Sequence, residues 1–195
     1  MEPALSDLVR PIKTTTLSDS WGLLQRHEFE LRRRNGEWQH QQRETYDRGD
    51  GAGVLLCDLS DKSVILTRQF RYPAFYRGED PFVVEVCAGK LDGDDPEGCA
   101  RKEAIEETGF SVGKLVKAFD CFMSPGSVTE RLTLFLGYVE GSAGAQGGGL
   151  ADEGEDIEIL RLPFAEALKQ CETGEIADAK TVMLLQYAAL KGVFA

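Results

Sequence analysis

Hydrophobic and polar residues alternate over short stretches near the start of the chain and give way to longer apolar runs further on. Residues 26–34 and 37–46 roughly alternate on either side of Asn35-Gly36. Asn-Gly is a strong signal for a tight two-residue turn, so this pattern predicts a β-hairpin. A lone hairpin is marginally stable in water. We therefore predict that residues 1–48 form an N-terminal β segment rather than an independent domain.

A glycine cluster at residues 48–53 marks the boundary of a second region, residues 49–195. Short apolar, β-branched runs in this region predict strands at residues 54–59, 63–70, 82–87, 115–123, 131–139 and 157–162. Helix-forming stretches predict helices at residues 96–108, 164–171 and 180–190. A Gly-rich and acidic stretch at 141–154 predicts a long, mobile loop. Strands alternating with helices indicate an α/β (α+β) class with a mixed sheet.

The stretch 96–108 is the clearest helix in the pattern. Pro96 suits the first turn, and Gly109 suits the position after the last turn, where a left-handed residue is favoured. Apolar residues, among them Ala100 and Ala104, fall on one side of the predicted helix. We therefore expect its glutamates to occupy another face.

Composition limits the classes of function. The formal charge of −11 disfavours binding to nucleic acid or to anionic membranes, since both depend on clustered Lys and Arg. The apolar runs are too short to span a bilayer, and the N-terminus lacks the pattern of a secretory signal. The 5 cysteines are scattered and never spaced as CxxC, which favours reduced thiols and a cytoplasmic protein.

Three glutamates lie at helical spacing in the predicted helix. Glu103, Glu106 and Glu107 stand at i, i+3 and i+4, where like charges repel one another. One explanation is a solvated surface on which Lys102 pairs with Glu106. The other is a site for Mg²⁺ or Mn²⁺, because these ions prefer carboxylate oxygens and share them with substrate phosphates.

The surrounding stretch, AGKLDGDDPEGCARKEAIEETGF at residues 88–110, resembles the Nudix box. Lys102 replaces the arginine of the family pattern, and the first half is one residue short. Asp94 stands where the family has a glutamate. The changes in the first half weaken a metal role for Asp94, but the acidic core of the box is intact.

The likeness extends over nearly the whole chain. It is carried by ETYDRG (44–49), LTRQFRY (66–72), EVCAGKLD (85–92), MSPGSVTE (123–130), GGGLADEGEDIEILRLP (147–163) and AKTV (179–182). These segments are similar to the Nudix enzymes that hydrolyse nucleoside-diphosphate sugars, and most similar to bacterial GDP-mannose pyrophosphatases. The resemblance implies a Nudix fold, an α/β/α sandwich with a mixed sheet beside the N-terminal β segment.

The same resemblance implies a reaction and a cofactor. We expect Mg²⁺-dependent hydrolysis of a pyrophosphate bond, with Mn²⁺ as a possible substitute and GDP-mannose giving GMP and mannose 1-phosphate. One alternative is an ADP-ribose pyrophosphatase, which yields AMP and ribose 5-phosphate. Another is a non-catalytic Nudix sensor of nucleotide sugars, against which the intact acidic residues count. The acidic charge argues against an RNA-decapping enzyme.

The resemblance also implies a set of metal-binding and catalytic residues. The expected metal ligands are Glu103 and Glu107 of the predicted helix and the backbone carbonyl of Ala88 in the strand before it. Glu106 is expected to be a third carboxylate ligand or a group that orients the others. A further ligand or a catalytic base is expected from the loop before the EDI sequence. Glu155 matches one spacing and Glu153 matches another, so both stay open as the catalytic loop residue.

Substrate contacts follow from the same likeness. They are Trp21, Arg43, Glu44, Arg71, Gly89, Lys90, Glu130 and Lys180. Arg71 corresponds to an arginine that faces the phosphates, and Trp21 stands where relatives carry a tyrosine from the partner subunit. Such enzymes commonly dimerise by exchanging the N-terminal β segment, so we expect a homodimer with a small-molecule nucleotide sugar as its ligand.

Overall fold

The computed structural model of the protein covers residues 4, 7–142 and 146–195, and at Ser142 and Glu153 the backbone alone. Part of the predicted loop, residues 143–145, lies outside the described residues. The chain divides into two compact units. The first comprises Met1–Gly49 and Phe122–Glu130, and the second comprises Asp50–Cys121 and Arg131–Ala195.

The first unit contains an antiparallel sheet of three strands in the order β1, β2, β3. Its strands are β1 (Val9–Asp19), β2 (Leu23–Arg32) and β3 (Trp38–Asp47). The predicted hairpin is confirmed, but its predicted two-residue turn is wrong. The N–H of Arg33 donates to the Glu37 carbonyl at 2.8 Å across the loop, and Gly36 has a φ of 88°. A left-handed glycine at the end of a three-residue loop is a common way to close a hairpin.

Strand β1 was not predicted from the pattern of hydrophobic residues. Ten of its eleven positions are exposed, so no apolar face is built into its sequence. Its pairing with β2 is also irregular, with register shifts between Pro11 and Lys13 and between Thr16 and Ser18. Each irregularity inserts a residue and interrupts the alternation of side chains, which is the signal that predicts a strand.

The second unit is built on a mixed seven-stranded sheet. Its strands are β4 (Gly51–Asp58), β5 (Ser63–Phe70), β6 (Phe82–Glu85), β7 (Cys87–Lys90), β8 (Phe110–Phe122), β9 (Arg131–Ser142) and β10 (Glu158–Pro163). The main path runs β10-β5-β4-β9-β8. The pairing of β4 with β9 is parallel, whereas β5 pairs antiparallel with both β4 and β10. This arrangement confirms the predicted mixed sheet.

Strands β4 and β5 separate after a short paired stretch, and β6 and β7 fill the gap between them. β6 pairs with β5, and β7 pairs with β4. The prediction of one strand over residues 82–87 is therefore wrong, because the chain changes partner at Val86. The N–H of Val86 donates to the Thr181 hydroxyl at 2.8 Å, which satisfies a buried donor that neither strand can pair.

The second unit also contains helices. They are α1 (Tyr72–Tyr76), α2 (Pro96–Thr108), α3 (Phe164–Thr173) and α4 (Ala179–Leu190). Helix α2 packs on β4 and β7, and α4 packs on β4 and β9. Every residue of β4 from 51 to 57 is buried, as expected for a strand covered on both faces. The short α1 has no buried residue, so its sequence carries no periodic apolar pattern from which to predict it.

Candidate metal and phosphate site

Helix α2 has the bounds that the sequence predicts, and its ends explain them. The Asp95 carboxylate accepts hydrogen bonds from the N–H groups of Glu97 and Gly98, each at 3.0 Å. These contacts satisfy donors of the first turn that have no partner within the helix. At the other end, Gly109 adopts a left-handed φ of 73°. These features fix the first and last residues of the helix that carries the acidic residues.

Glu107 lies on the buried face of α2, together with Ala100 and Ala104, and is only 2% exposed. The expectation that the glutamates occupy a face apart from the apolar residues is therefore wrong for Glu107. Its Oε2 atom is buried and has no hydrogen-bond partner in the described part of the chain. A buried carboxylate oxygen without a donor is costly, and it points to a missing cation or proton.

The environment of Glu107 favours its neutral form. Burial raises the pKa of the carboxyl from 4.5 to about 8, and the charges of Glu103 and Glu155 add to the increase. A hydrogen bond with the Cys87 thiol and the charge of Arg71 act in the opposite direction. These influences show that Glu103, Glu155 and Arg71 all lie near Glu107 within the second unit.

Glu103 packs directly onto the backbone of β7. A Cβ atom added at Gly89 would lie 2.0 Å from Oε1 of Glu103, so a larger residue would force this carboxylate to move. The neighbouring residue of β7, Ala88, pairs with Gly53 of β4. The structure thus brings three of the predicted residues, Ala88, Gly89 and Glu103, to one place beside α2.

The glycine-rich run before β10 lies against the C-terminal end of α2. The N–H of Gly148 donates to the Glu107 carbonyl at 2.9 Å, and the N–H of Gly149 donates to the Glu106 carbonyl at 3.1 Å. A Cβ added at Gly147 would lie 2.5 Å from the carbonyl carbon of Thr108. The run therefore needs glycine to approach the helix, and it satisfies carbonyls that the helix end leaves unpaired.

This contact between the loop and α2 brings Glu155 close to Glu107. We call the group Glu103, Glu107 and Glu155 the acidic site. The Oε2 atom of Glu155 accepts a hydrogen bond from the Leu150 N–H at 2.9 Å, within the loop itself. It also lies over Gly149, where an added Cβ would be 2.6 Å from the same oxygen. The alternative loop residue, Glu153, ends a 3₁₀ turn, and its side chain lies outside the described residues.

Two acidic residues of the box are placed differently. Glu106 forms the predicted i, i+4 ion pair with Lys102, with 3.8 Å between Oε2 and Nζ. Asp94 is exposed in the turn before α2, where its N–H donates to the Leu91 carbonyl at 2.7 Å. Among the described residues, no three His, Cys, Asp or Glu side chains are grouped so that they alone could hold a metal ion. The glutamates expected as ligands, Glu103, Glu107 and Glu155, therefore do not form such a group by themselves, and the expected set also relies on the Ala88 carbonyl.

The predicted substrate contacts Arg71 and Lys180 meet at a residue that sequence reasoning missed. Glu85 is 4% exposed, and its carboxylate accepts hydrogen bonds from Arg71 Nε at 2.6 Å and from Lys180 Nζ. Lys180 also pairs with Asp178 at 3.0 Å. A glutamate within the apolar run Val83-Val84-Glu85-Val86 was a usable signal, since a buried acid normally has a charged partner.

In the first unit, Arg43 and Glu44 line a cavity of about 620 Å³. The other lining residues are His27, Phe29, Thr45, Phe122, Pro125, Gly126, Ser127, Val128 and Thr129. Glu44 is ion-paired with Arg26 at 2.9 Å, and Arg43 Nη1 donates to the Gln42 carbonyl at 2.7 Å. Both side chains are exposed, so they are accessible to a small molecule in the cavity.

The remaining predicted contacts lie on the surfaces of the two units. Trp21 is 74% exposed, and the Arg48 guanidinium lies 5.0 Å from the centroid of its ring. Glu130 is half-buried at the end of the first unit, and Lys90 is exposed at the end of β7. Trp21 is thus a surface residue rather than an anchor of the core.

Comparison with known families identifies the class of protein. The NUDIX domain model matches residues 47–185, which is most of the chain and includes α2 and the glycine-rich loop. The chain therefore belongs to the Nudix family of hydrolases. A second model, described as the GDP-mannose pyrophosphatase NudK N-terminal domain, matches residues 8–46. Nudix hydrolases generally use divalent metal ions.

Individual relatives agree with this assignment. The chain is 49% identical over 193 residues to the GDP-mannose pyrophosphatase of Pectobacterium atrosepticum, covering 98% of this chain and 99% of the relative. It is 48% identical over 185 residues to the protein of the same name from Salmonella arizonae, covering 94% and 96%.

A solved structure described as an ADP compounds hydrolase has the same fold. Its TM-score is 0.70 at 19% sequence identity, and the match covers 95% of this chain and 96% of that one. This match confirms the predicted Nudix fold. Of the helices in the described residues, none has the length and apolar character needed to cross a membrane.

Proposed function

We propose that this Nudix hydrolase splits GDP-mannose into GMP and mannose 1-phosphate in a Mg²⁺-dependent reaction, with Mn²⁺ as a possible substitute. The names of two relatives at 49% and 48% identity, each aligned over nearly its whole length, support the substrate. The acidic site of the second unit supports the need for a divalent cation.

The observation that carries this proposal is the buried Oε2 atom of Glu107, which has no partner among the described residues. Without a cation, burial and the neighbouring carboxylates raise the pKa of Glu107 to about 8. A cation bound there would take the place of the proton and pair with the ionised group. The donor set of carboxylate and carbonyl oxygens suits Mg²⁺, so the residues fit the cofactor that the family implies.

The proposed ligands are Glu103, Glu107, the Ala88 carbonyl and Glu155. Glu106 is the weaker candidate, because its carboxylate is already paired with Lys102 at 3.8 Å. The bound cation would neutralise phosphate oxygens and acidify the attacking water. The protein itself holds the carboxylates on one rigid helix and on a loop that is hydrogen-bonded to that helix.

When water attacks phosphorus, its proton must pass to a base. We assign this role to a loop glutamate, and Glu155 is preferred over Glu153 because its charge acts on Glu107. The Leu150 N–H bond at 2.9 Å holds one oxygen of Glu155 in a fixed position. A positioned carboxylate can accept the proton or share in metal binding.

Two groups of residues are proposed to bind the substrate. Arg71 and Lys180, together with the neighbouring Gly89 and Lys90, are proposed to bind the diphosphate. The cavity beside Arg43 and Glu44, with Trp21 and Glu130, is proposed to bind the nucleoside. A guanidinium suits phosphate oxygens because it can donate two hydrogen bonds in parallel.

We propose that the protein is a homodimer in which residues 1–48 of one protomer complete the site of residues 49–195 of the partner. Exposed apolar side chains on the first unit support this: Ile12 is 55% exposed and Leu17 is 40% exposed. All five cysteines are free thiols, which suits a reducing, cytoplasmic compartment.

The proposal is tested by incubating the protein with GDP-mannose, ADP-ribose, UDP-glucose and capped RNA, each with Mg²⁺ or EDTA. We expect the fastest release of monophosphate from GDP-mannose, and only with Mg²⁺. Release of AMP from ADP-ribose at a higher kcat/KM would redirect the assignment to the second substrate. Tight nucleotide-sugar binding without turnover of any compound would indicate a sensor.

The dimer proposal has its own test. Light scattering should give twice the mass of one chain. Mixing an inactive Glu107→Gln protein with an inactive Arg43→Ala protein should restore part of the activity, because one site in a mixed dimer would be intact. No recovery from mixed dimers of proven composition would refute the exchange of site residues between subunits.

A further inference from the structure

The carboxylate of Glu85 holds two cations from separate parts of the second unit. Glu85 ends β6 and is 4% exposed. It accepts hydrogen bonds from Arg71 Nε at 2.6 Å and Arg71 Nη2 at 3.2 Å, and also from Lys180 Nζ. Although burial favours the neutral acid, these two cations lower the pKa of Glu85, so it carries its charge in the folded protein.

Each cation keeps donors that Glu85 does not use. The guanidinium of Arg71 bonds Glu85 through Nε and Nη2, and 43% of its side chain is exposed. The ammonium of Lys180 has three donors, of which Glu85 and Asp178 account for two. Arg71 can therefore reach a ligand through its exposed edge, and Lys180, whose side chain is 13% exposed, keeps one donor, while Glu85 holds both side chains in place.

The pair also lies beside the acidic site. The charge of Arg71 opposes the burial that raises the pKa of Glu107, so the guanidinium, which is hydrogen-bonded to Glu85, also lies near Glu107. A diphosphate that meets the cation site at Glu107 would find the free edge of Arg71 next to it. Cations fixed in advance lose less entropy on binding a ligand than freely moving surface side chains do.

Stability alone is a weak reason for this arrangement. A buried ion pair is often no better for folding than apolar side chains of similar volume. The network instead joins three elements that meet near the site: the start of α1, the end of β6 and the first turn of α4, where Asp178 also accepts from Thr181 N–H at 3.0 Å.

We propose that Glu85 is a positioning residue, which acts through Arg71 and Lys180 by holding them as a pair that grips the diphosphate of the substrate. This inference rests on the proposed function, in which these two cations bind phosphate. Glu85 itself would not touch the substrate. Since the phosphates are charged in both the ground state and the transition state, its loss should weaken binding more than turnover.

The test uses Glu85→Gln in the full-length protein, with GDP-mannose and Mg²⁺. An amide can accept from one cation, but it presents N–H groups to the other. We expect KM to rise about 10- to 100-fold, as for the loss of a charged hydrogen bond. We expect kcat to stay within about threefold of the parent value. The affinity for Mn²⁺ alone, followed by electron paramagnetic resonance, should be unchanged.

Two further variants separate positioning from charge and from folding. Glu85→Asp keeps a buried negative charge but shortens its reach, so it should fold and still leave KM raised. Asp58→Asn is the matched control, because it breaks a separate ion pair, with Arg161 Nη2 at 2.7 Å, and should leave KM unaltered. In an Arg71→Ala/Lys180→Ala background, Glu85→Gln should add almost nothing to the rise in KM.

Several results would overturn the proposal. One is a KM for Glu85→Gln equal to that of the parent protein. Another is a KM for Glu85→Asp equal to that of the parent. A third is an equally large rise in KM when Glu85→Gln is added to the Arg71→Ala/Lys180→Ala protein. If Glu85→Gln fails to fold, the result with Glu85→Asp decides. Failure of the proposed function is distinguished by the parent protein, because an unaltered chain that hydrolyses no nucleotide sugar would refute both ideas at once.

Discussion

Glu107→Gln is the substitution whose effect on stability follows most directly from the structure. The change removes a charge and keeps the shape of the side chain. In the cation-free protein, burial and the neighbouring carboxylates raise the pKa of Glu107 from 4.5 to about 8. The folded state therefore binds this proton more tightly than the unfolded state does. Stability from this group is present at low pH and is lost as the pH rises from 4.5 to about 8.

The magnitude follows from the two pKa values. Each pH unit between them corresponds to about 1.36 kcal/mol. At pH 7.5 the carboxyl is ionised in the unfolded state but still mainly protonated in the folded state, so folding is about 4 kcal/mol less favourable than at low pH. Glutamine does not ionise, and it avoids this loss. In EDTA we expect Glu107→Gln to be more stable than the parent at pH 7.5, and the difference to shrink steadily towards pH 4.5.

Urea unfolding monitored by circular dichroism measures this difference in the free energy of unfolding. Glu106→Gln is the matched control, because Glu106 lies on the same helix but is partly exposed and paired with Lys102. Glu106→Gln should change the free energy of unfolding by no more than about 0.5 kcal/mol at every pH. Mg²⁺ at about 100 times its Kd should stabilise the parent by about 2.7 kcal/mol, and should stabilise Glu107→Gln far less.

A difference between parent and Glu107→Gln that does not vary with pH would refute this reasoning. So would a glutamine variant that is less stable than the parent at pH 7.5 in EDTA. Either outcome would mean that the buried oxygen of Glu107 has a partner that satisfies it without a cation or a proton.

Three further predictions concern the residues that shape the site. Gly89→Ala should displace the Glu103 carboxylate, whose Oε1 atom would lie 2.0 Å from the added Cβ, and should lower kcat/KM by about 100-fold. The free energy of unfolding measured in urea should change little. Gly147→Ala should destabilise the protein by more than Gly154→Ala in thermal unfolding, because both have a positive φ but only the first meets backbone atoms. Glu155→Gln should lower kcat by about 100-fold or more in steady-state assays, and Glu153→Gln by much less; the reverse order would exchange their roles.

The sequence predicts α2 well because its signals are local. Pro96 and Gly109 mark its ends, and both lie where the pattern puts them. The hairpin in the first unit is predicted for the same reason. Strand β1 and the break at Val86 are not, because they depend on partners distant in sequence: β2 in one case, and the separating strands β4 and β5 in the other.

In the candidate site, too, the sequence predicts the features that have local signals and misses those that depend on distant parts of the chain. Resemblance to the Nudix box points to Glu103 and Glu107, but periodicity alone suggests a solvated face for all the glutamates of α2. Burial of Glu107 arises from β7 packing against the helix, and the role of Gly89 arises from the space that Glu103 occupies. Glu85 belongs to an apolar run, and only the fold reveals its two cations.

The central claim is that the chain hydrolyses GDP-mannose at a cation site built around Glu107. Phosphorus-31 NMR of GDP-mannose incubated with the protein tests it most directly. With Mg²⁺, the two diphosphate resonances should be replaced by those of GMP and mannose 1-phosphate, and EDTA or Glu107→Gln should prevent the change. An intact diphosphate with Mg²⁺ present, or equal conversion by Glu107→Gln, would contradict the account.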